Sequence, residues 1–258
     1  MHTMIHHVVG LGEVGGAILC NLKDAGYTVD GSDISDYAGP KVMSGYRHCT
    51  SPICMHVCIP FSHQDFGDWV GAWAQTIGER LSLVVIHATV PPGTTQTLSK
   101  HIEARGLPRG IPVVHSPVNG KHKSTGSMEV YIKSLPKFFG GHQKDKGLVE
   151  REFREVWDVC WLGDARITET MKLLATTYYG LLINWTQFVH KICKAIDMPY
   201  EKVMSVFTMI DSEDWRIDNK YPGKWGGHCI EPNFELLYSI FPHSLLEAMA
   251  ELNEEFRA

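Results

Sequence analysis

The most legible chemistry in this chain belongs to three glycines and an acid near its start. The glycines stand as Gly10-x-Gly12-x-x-Gly15 within Ile5-His6-His7-Val8-Val9-Gly10-Leu11-Gly12-Glu13-Val14-Gly15-Gly16, and the acid is Asp33. In this spacing the first glycine makes a tight turn, the second lets a pyrophosphate lie against bare backbone, and the third brings a helix close to a strand. A helix N-terminus facing the phosphates adds unpaired N–H groups and a partial positive charge. An apolar strand precedes the glycines, the helical run 17–25 follows, and a second strand, Tyr27 to Asp33, ends in the acid. Gly10, Leu11, Gly12, Glu13, Val14 and Gly15 are therefore expected to bind a dinucleotide. A carboxylate at Asp33 accepts both ribose hydroxyls and repels a 2′-phosphate, so the expected cofactor is NAD rather than NADP. No Lys or Arg follows before Lys41, although Asp30 and Asp36 compete for the ribose role.

Further elements must hold this turn in place. A strand over Ile53 to Ile59 ends at Pro60, and a helix from about Gln64 to Arg80 buries Phe66, Trp69, Val70, Trp73 and Ile77 at helical spacing. The apolar strand Leu83 to Ala88 reads as central in a parallel sheet and runs into Thr89-Val90-Pro91-Pro92-Gly93-Thr94-Thr95, followed by a helix to about Arg105. Ile111 to His115 and Lys137 to Gly140 are further strands. Strands alternating with helices predict an α/β fold, a Rossmann-type doubly wound parallel sheet over residues 1–163. Ligands of such a sheet sit beyond the carboxyl ends of its strands, where Pro60, Thr89 and Ser116 are expected to line one crevice.

From about Asp164 the period changes. Ile167, Met171, Leu174, Tyr178, Leu181, Trp185, Phe188, Ile192 and Ile196 recur at steps of three and four, predicting one long helix of about eight turns. Lys172, Thr176 and Tyr179 share another face of it. Pro199 suits a new helix start, with Val203, Val206, Phe207 and Ile210 continuing the period. A loop is expected over Asp211 to Glu231, and then two short helices, the last burying Leu245, Leu246, Met249, Leu252 and Phe256. Residues 164–258 thus read as an all-helical domain. The long helix has more apolar positions than one sheet edge can cover, which predicts a homodimer packed through residues 166–196.

Composition narrows the partners. A net charge of −5 gives no reason to expect nucleic acid or an anionic membrane. No apolar run reaches a membrane span, and Met1 to His7 lack the regions of a signal peptide, so a cytoplasmic protein is expected. Seven cysteines, an odd number without regular spacing, suggest reduced thiols. Cys54 and Cys58 lie near His56 and His63, but they read as buried strand residues, and no metal is expected.

The combined motifs resemble the nucleotide-sugar dehydrogenases, which oxidise UDP-glucose or UDP-N-acetylmannosamine to the uronic acid, and more distantly the 3-hydroxyacid dehydrogenases. Beyond the glycine turn and Asp33, the resemblance is carried by Thr89 to Thr95, by Lys172 on the long helix, and by Gly226-Gly227-His228-Cys229-Ile230. It implies that Thr89 borders nicotinamide and substrate, that Lys172 is the active-site lysine, and that Cys229 is the catalytic cysteine, with Gly227 and His228 beside the substrate. Departures are equally specific. Where the family carries a glutamate, this chain reads Ser116-Pro117-Val118-Asn119-Gly120, closer to the carboxylate-gripping turn of the 3-hydroxyacid enzymes. Thr176 replaces an asparagine, Asn233 an aspartate, and the family's third, nucleotide-holding domain has no counterpart.

Hydride transfer to NAD needs a group that takes or polarises the alcohol proton, and Lys172 suits this, with Thr89 and Thr176 holding the oxygen or a water. Asn119 and Ser116 are expected to meet the substrate's polar groups. The Cys229 thiolate, favoured by positive charge from Lys172 or His228, could attack the aldehyde and carry it to the acid through a thioester. The alternatives are a one-step 3-hydroxyacid-type dehydrogenase in which Cys229 is a bystander, and a non-catalytic NAD-binding protein.

Overall fold

The computed structural model describes residues 4–33, 50–61, 65–119, 127–210 and 222–256. The chain runs β1 (Ile5–Val9), α1 (Glu13–Asp24), β2 (Val29–Ser32), β3 (Ile53–Val57), α2 (Phe66–Ile77), β4 (Leu81–Ile86), α3 (Thr94–Ala104), β5 (Val113–His115), α4 (Ser127–Ser134), β6 (Lys137–Phe139), α5 (Lys146–Phe153), β7 (Val159–Trp161), α6 (Ala165–Ala195), α7 (Tyr200–Ile210), α8 (Gly227–Ile240) and α9 (Ser244–Glu254). It forms two compact units, Met1–Lys172 and Leu173–Ala258, so the opening turns of α6 pack with the first.

In the first unit five parallel strands take the order β2-β1-β3-β4-β5. From β1 the chain passes to β2 on one side and to β3 on the other, so the winding reverses at β1, and the crevice of a doubly wound sheet opens at its carboxyl end. Strand residues alternate between two cores. Met55, Val57, Val84 and Ile86 face one cluster with Phe66, Trp73 and Ile102 of α2 and α3. Val8, Cys54, Leu83 and Val85 face the other, with Ile18 of α1 and Phe153 of α5. Fully burying each such side chain contributes about 1.5–3 kcal/mol, which explains the near-continuous apolar composition of β4.

The expected strand at Lys137 exists but does not extend the main sheet. β6 pairs in parallel with β7 in a separate two-stranded sheet, and only an isolated antiparallel bridge, His115 to Gly140, reaches the end of β5. β5 itself pairs with β4 over only three residues, so its outer edge offers β6 little length to pair with.

In the second unit Val189, Cys193 and Met204 form a small core with Tyr200 and Val203. The expected loop through Glu231 needs correction, because residues 227–231 open α8. Gly226, Gly227 and Pro232 read as loop signals. However, a proline this early in a helix forfeits one backbone bond, and Ile230, Phe234 and Leu237, buried at helical spacing, hold the turn. On α9, Leu246 and Met249 are buried as expected, whereas Leu245 is exposed. No helix among the described residues is long and apolar enough to cross a membrane.

Candidate active site

The glycine turn has the geometry its spacing implies. Gly10 has φ +92°, and a Cβ there would come within 2.9 Å of the Cys58 carbonyl, so only glycine suits this corner. A Cβ on Gly15 would lie 1.7 Å from the Gly10 carbonyl oxygen, which is the close helix–strand approach the third glycine permits. A Cβ on Gly12 would meet no described residue within 4 Å. Gly12 is also the N-cap of α1 and supplies no side-chain acceptor, so the helix opens toward that free space. Asp33 lies on the far side of the turn, where its carboxylate accepts the Leu11 N–H at 3.1 Å. Open backbone, an uncapped helix N-terminus and an acid beside them fit a dinucleotide, which would add a hydride acceptor to this crevice.

The neighbouring strand ends lie level with this turn. Cys58 N–H donates to Val9, His87 N–H to Val57 and Ser116 N–H to Ile86, each at 2.8–2.9 Å. This sets Pro60, Thr89 and Ser116 just beyond β3, β4 and β5. Pro60 is exposed, and Thr89 and Asn119 are half-buried. Ser116 is fully buried, and its carbonyl accepts from Lys137 Nζ at 2.9 Å and from His87 Nδ1 at 2.8 Å.

The opening turns of α6 are pinned to these strand ends. Thr168 Oγ1 is 2.8 Å from His115 Nδ1, whose other nitrogen donates to the Ala88 carbonyl at 3.0 Å. Glu169, wholly buried, accepts the N–H groups of Gly93 and Thr95 and the Thr95 hydroxyl, closing the N-terminus of α3. Lys172 follows Glu169 by one helical turn. Its charge is felt by two buried neighbours, His115 and Lys137. Desolvation holds His115 down to about 3 despite its bond to Ala88, and the two lysines depress it further. Burial likewise brings Lys137 down to about 7, with Cys58 opposing and Lys172 adding to the fall.

Lys137 and Glu169 both escape sequence reading. Lys137 sits in the short segment Lys137-Phe138-Phe139, which carries no signal of a buried amine. Glu169 looks like an ordinary helix-surface acid.

In the second unit, Cys229 lies half-buried in the opening turn of α8, two residues after Gly227; the side chain of His228 lies outside the described residues. The approach to this turn is clamped. Asn253 accepts the Trp225 N–H at 2.8 Å and donates to its carbonyl at 2.9 Å, Trp225 Nε1 donates to Asn184 at 2.9 Å, and Gln187 donates to the Gly223 carbonyl at 2.8 Å. Thr176 is half-buried on α6. Of the cationic residues before the cysteine, Arg216 and Lys220 fall outside the described residues, and Lys224 pairs with Glu254.

A cavity of about 500 Å³ in the first unit is lined by Thr95, Lys100, His142 and Asp164 and shares no residue with the glycine turn, Thr89 or Lys172. Chemistry rather than volume therefore marks the candidate site.

No family model matches the chain. The UDP-N-acetyl-D-mannosamine dehydrogenase of Pyrococcus horikoshii is 25% identical to it over 274 residues, which cover 90% of this chain and 63% of the relative. A solved structure of that organism's UDP-D-ManNAc dehydrogenase superposes with a TM-score of 0.77 at 21% identity, covering 98% of this chain and 69% of its own. The 3-hydroxyisobutyrate dehydrogenase of Mycobacterium tuberculosis superposes with a TM-score of 0.66 at 14% identity, over 99% of this chain and 94% of its own. The chain spans less than two thirds of the curated relative's length, and within that span it is nucleotide-sugar-dehydrogenase-like in sequence and Rossmann-like in fold.

Proposed function

We propose that this chain is an NAD-dependent dehydrogenase oxidising a primary alcohol on a sugar-like or nucleotide-sugar-like substrate. The observation that carries the reading is the open Gly12 backbone at the N-terminus of α1 with Asp33 bonded across to Leu11. Bound NAD supplies the hydride acceptor. Lys172 takes the alcohol proton, with Thr89 and Thr176 holding the oxygen or a water, and Asn119 meets a polar substituent of the substrate. Cys229 then adds to the aldehyde as a thiolate, and a second oxidation and hydrolysis release the acid. The dependence of this second step on an amide at Asn233, where the resembling enzymes have a carboxylate, makes it the more demanding half.

A one-step, 3-hydroxyacid-type reaction is the second reading. It is favoured by the buried, apolar Val118 and the following Asn119, which replace the acid-bearing segment of the nucleotide-sugar enzymes. The protein is further proposed to act in the cytoplasm as a homodimer through α6, whose Leu174, Tyr178, Trp185, Phe188, Ile192 and Ile196 are all exposed.

Counting NADH formed per alcohol consumed tests the reading, with nucleotide sugars, phosphorylated sugars and small hydroxy acids as substrates. Two equivalents, falling to one in Cys229→Ser, support the full sequence; one equivalent in both supports the single step. No NADH with any substrate, despite binding of NAD, leaves a non-catalytic dinucleotide-binding protein. Activity that survives Lys172→Ala removes both enzymatic readings.

A further inference from the structure

Three potential ligands meet in the sheet's interior on the side away from α2 and α3. His6 of β1 is in register with Cys54 of β3, and His56 lies two residues on from Cys54, so all three project to one face. Each is 0% exposed. His6 Nδ1 is 2.8 Å from His56 Nε2, Cys54 Sγ is 3.5 Å from the same nitrogen, and all three atoms lie within 4.8 Å of one another.

The outer nitrogens are also held. His6 Nε2 is 3.0 Å from Glu152 Oε1, His56 Nδ1 is 2.9 Å from His87 Nε2, and His87 Nδ1 is 2.8 Å from the Ser116 carbonyl. The Ser116 carbonyl only accepts, and its bond places the His87 hydrogen on Nδ1, which leaves Nε2 bare toward His56 and puts the His56 hydrogen on Nδ1. Lys137 Nζ, 3.4 Å from the same His87 nitrogen, is the competing donor there. From the other end, the Glu152 carboxylate takes a hydrogen from His6 Nε2, which leaves His6 Nδ1 bare. In the carbonyl-bonded form two bare nitrogens face each other across 2.8 Å with only the Cys54 thiol hydrogen between the three groups, and a cation in its place would satisfy all of them. Cys54 adds a third, soft ligand that becomes an anion when a metal displaces its proton.

We propose that His6 Nδ1, His56 Nε2 and Cys54 Sγ bind a divalent cation of the zinc class, with Glu152 and His87 orienting the two imidazoles from outside. Binding forms two metal–nitrogen bonds and one metal–sulfur bond, a water carried in with the ion fills the fourth position, and the thiol proton leaves to solvent. Tetrahedral zinc holds nitrogen at about 2.0–2.1 Å and sulfur at about 2.3 Å, spacing two nitrogens by about 3.3 Å and a nitrogen and sulfur by about 3.6 Å. The His56–Cys54 separation already fits, the two histidines need to part by about half an ångström, and His6 Nδ1 and Cys54 Sγ lie within 4.8 Å of each other. A carboxylate on the far nitrogen of a metal-bound histidine is the outer arrangement metal sites favour. The ion would tie β1, which leads into the glycine turn, to β3.

The test needs no substrate. The full chain, refolded with Zn2+ or Co2+ and freed of excess ion, is analysed by elemental mass spectrometry and absorption. The expected result is about one metal per chain and, for cobalt, a sulfur-to-metal charge-transfer band. Cys54→Ser removes the band, Cys58→Ala keeps it, and Glu152→Gln weakens affinity about 10- to 100-fold without unfolding the chain. Should Cys54→Ser fail to fold, the wild-type stoichiometry and band decide alone. Less than about a tenth of an equivalent of metal in folded wild type overturns the proposal, as does imidazole NMR showing a proton shared between His6 and His56 in the presence of zinc.

Discussion

Glu169 on α6 accepts both the backbone N–H and the hydroxyl of Thr95 through a single carboxylate oxygen, at 2.8 and 2.6 Å, while its other oxygen takes the Gly93 N–H at 2.6 Å. The N-cap of α3 is Gly93 at φ +95°, which offers no side chain to its own helix. The acceptor that opening turn needs comes instead from a helix far along the chain. One contact thus closes α3 and fixes the start of α6, and Lys172 is carried into register as a consequence.

Glu169→Ala should therefore cost about 2–4 kcal/mol, the loss of three buried hydrogen bonds at about 0.5–1.5 kcal/mol each. Glu169→Gln should cost less, because one amide oxygen still serves Thr95 while the amide nitrogen faces the Gly93 N–H. Denaturant midpoints measure both. A Glu169→Ala chain within about 0.5 kcal/mol of wild type would show that the cap holds nothing in place.

The two ends of the glycine motif should respond in opposite ways to the same methyl group. Gly15→Ala places a Cβ 1.7 Å from the Gly10 carbonyl and should prevent folding of the first unit. Gly12→Ala adds its methyl where no described residue lies within 4 Å, at an ordinary φ of −63°, and should change stability by less than about 1 kcal/mol. Its cost should fall on the cofactor, with NADH affinity, read by fluorescence titration, dropping tenfold or more, or about 1.4 kcal/mol. Unchanged NADH binding by a folded Gly12→Ala chain would remove the phosphate role of this turn.

Acidity should act through His115 and Lys137, whose folded pKa values lie below their unfolded ones. His115, at about 3 against 6.5, remains neutral when folded while the unfolded chain takes up a proton, so stability falls as pH drops below 6.5. Lys137, at about 7 against 10.5, costs most below pH 7, and that cost lessens as pH rises toward 10.5. Each contributes a slope of up to about 1.4 kcal/mol per pH unit within its window. Urea unfolding should therefore show stability rising from pH 7 to 9, and Lys137→Met should flatten that rise. An equally steep rise in the variant would assign it to other groups.

The legible parts of this molecule are those whose physics is local. The glycine turn, Asp33 and the 31-residue helix α6 follow from spacing alone, because a tight turn and a helical stripe are specified by neighbouring residues. What stayed hidden depends on pairing between distant segments. The meeting of His6 with Cys54 requires the β1–β3 register, and without it Cys54 and His56 look like ordinary buried strand residues. Lys137, Glu169 and the Asn253–Trp225 clamp take their meaning from partners that no local pattern names. The residues near Cys229 misled for the opposite reason: Gly226, Gly227 and Pro232 carry strong local loop signals, and tertiary burial of Ile230, Phe234 and Leu237 overrides them.

The apolar stripe of α6 makes the last prediction. Trp185 and Phe188 lie with their rings 6.1 Å apart and about half exposed, and Ile192 and Ile196 continue the same surface. Monomeric proteins rarely leave so large a contiguous apolar face in water. A two-fold arrangement would let identical copies of the stripe cover each other. The chain should accordingly sediment as a dimer at micromolar concentration. The Trp185→Glu, Phe188→Glu double variant should sediment as a monomer, since charges at the centre of such a face oppose its burial. Because both side chains are exposed on the single chain, the monomer should keep its far-UV circular dichroism. A wild-type chain that sediments as a monomer throughout would leave the stripe without a second copy to cover it.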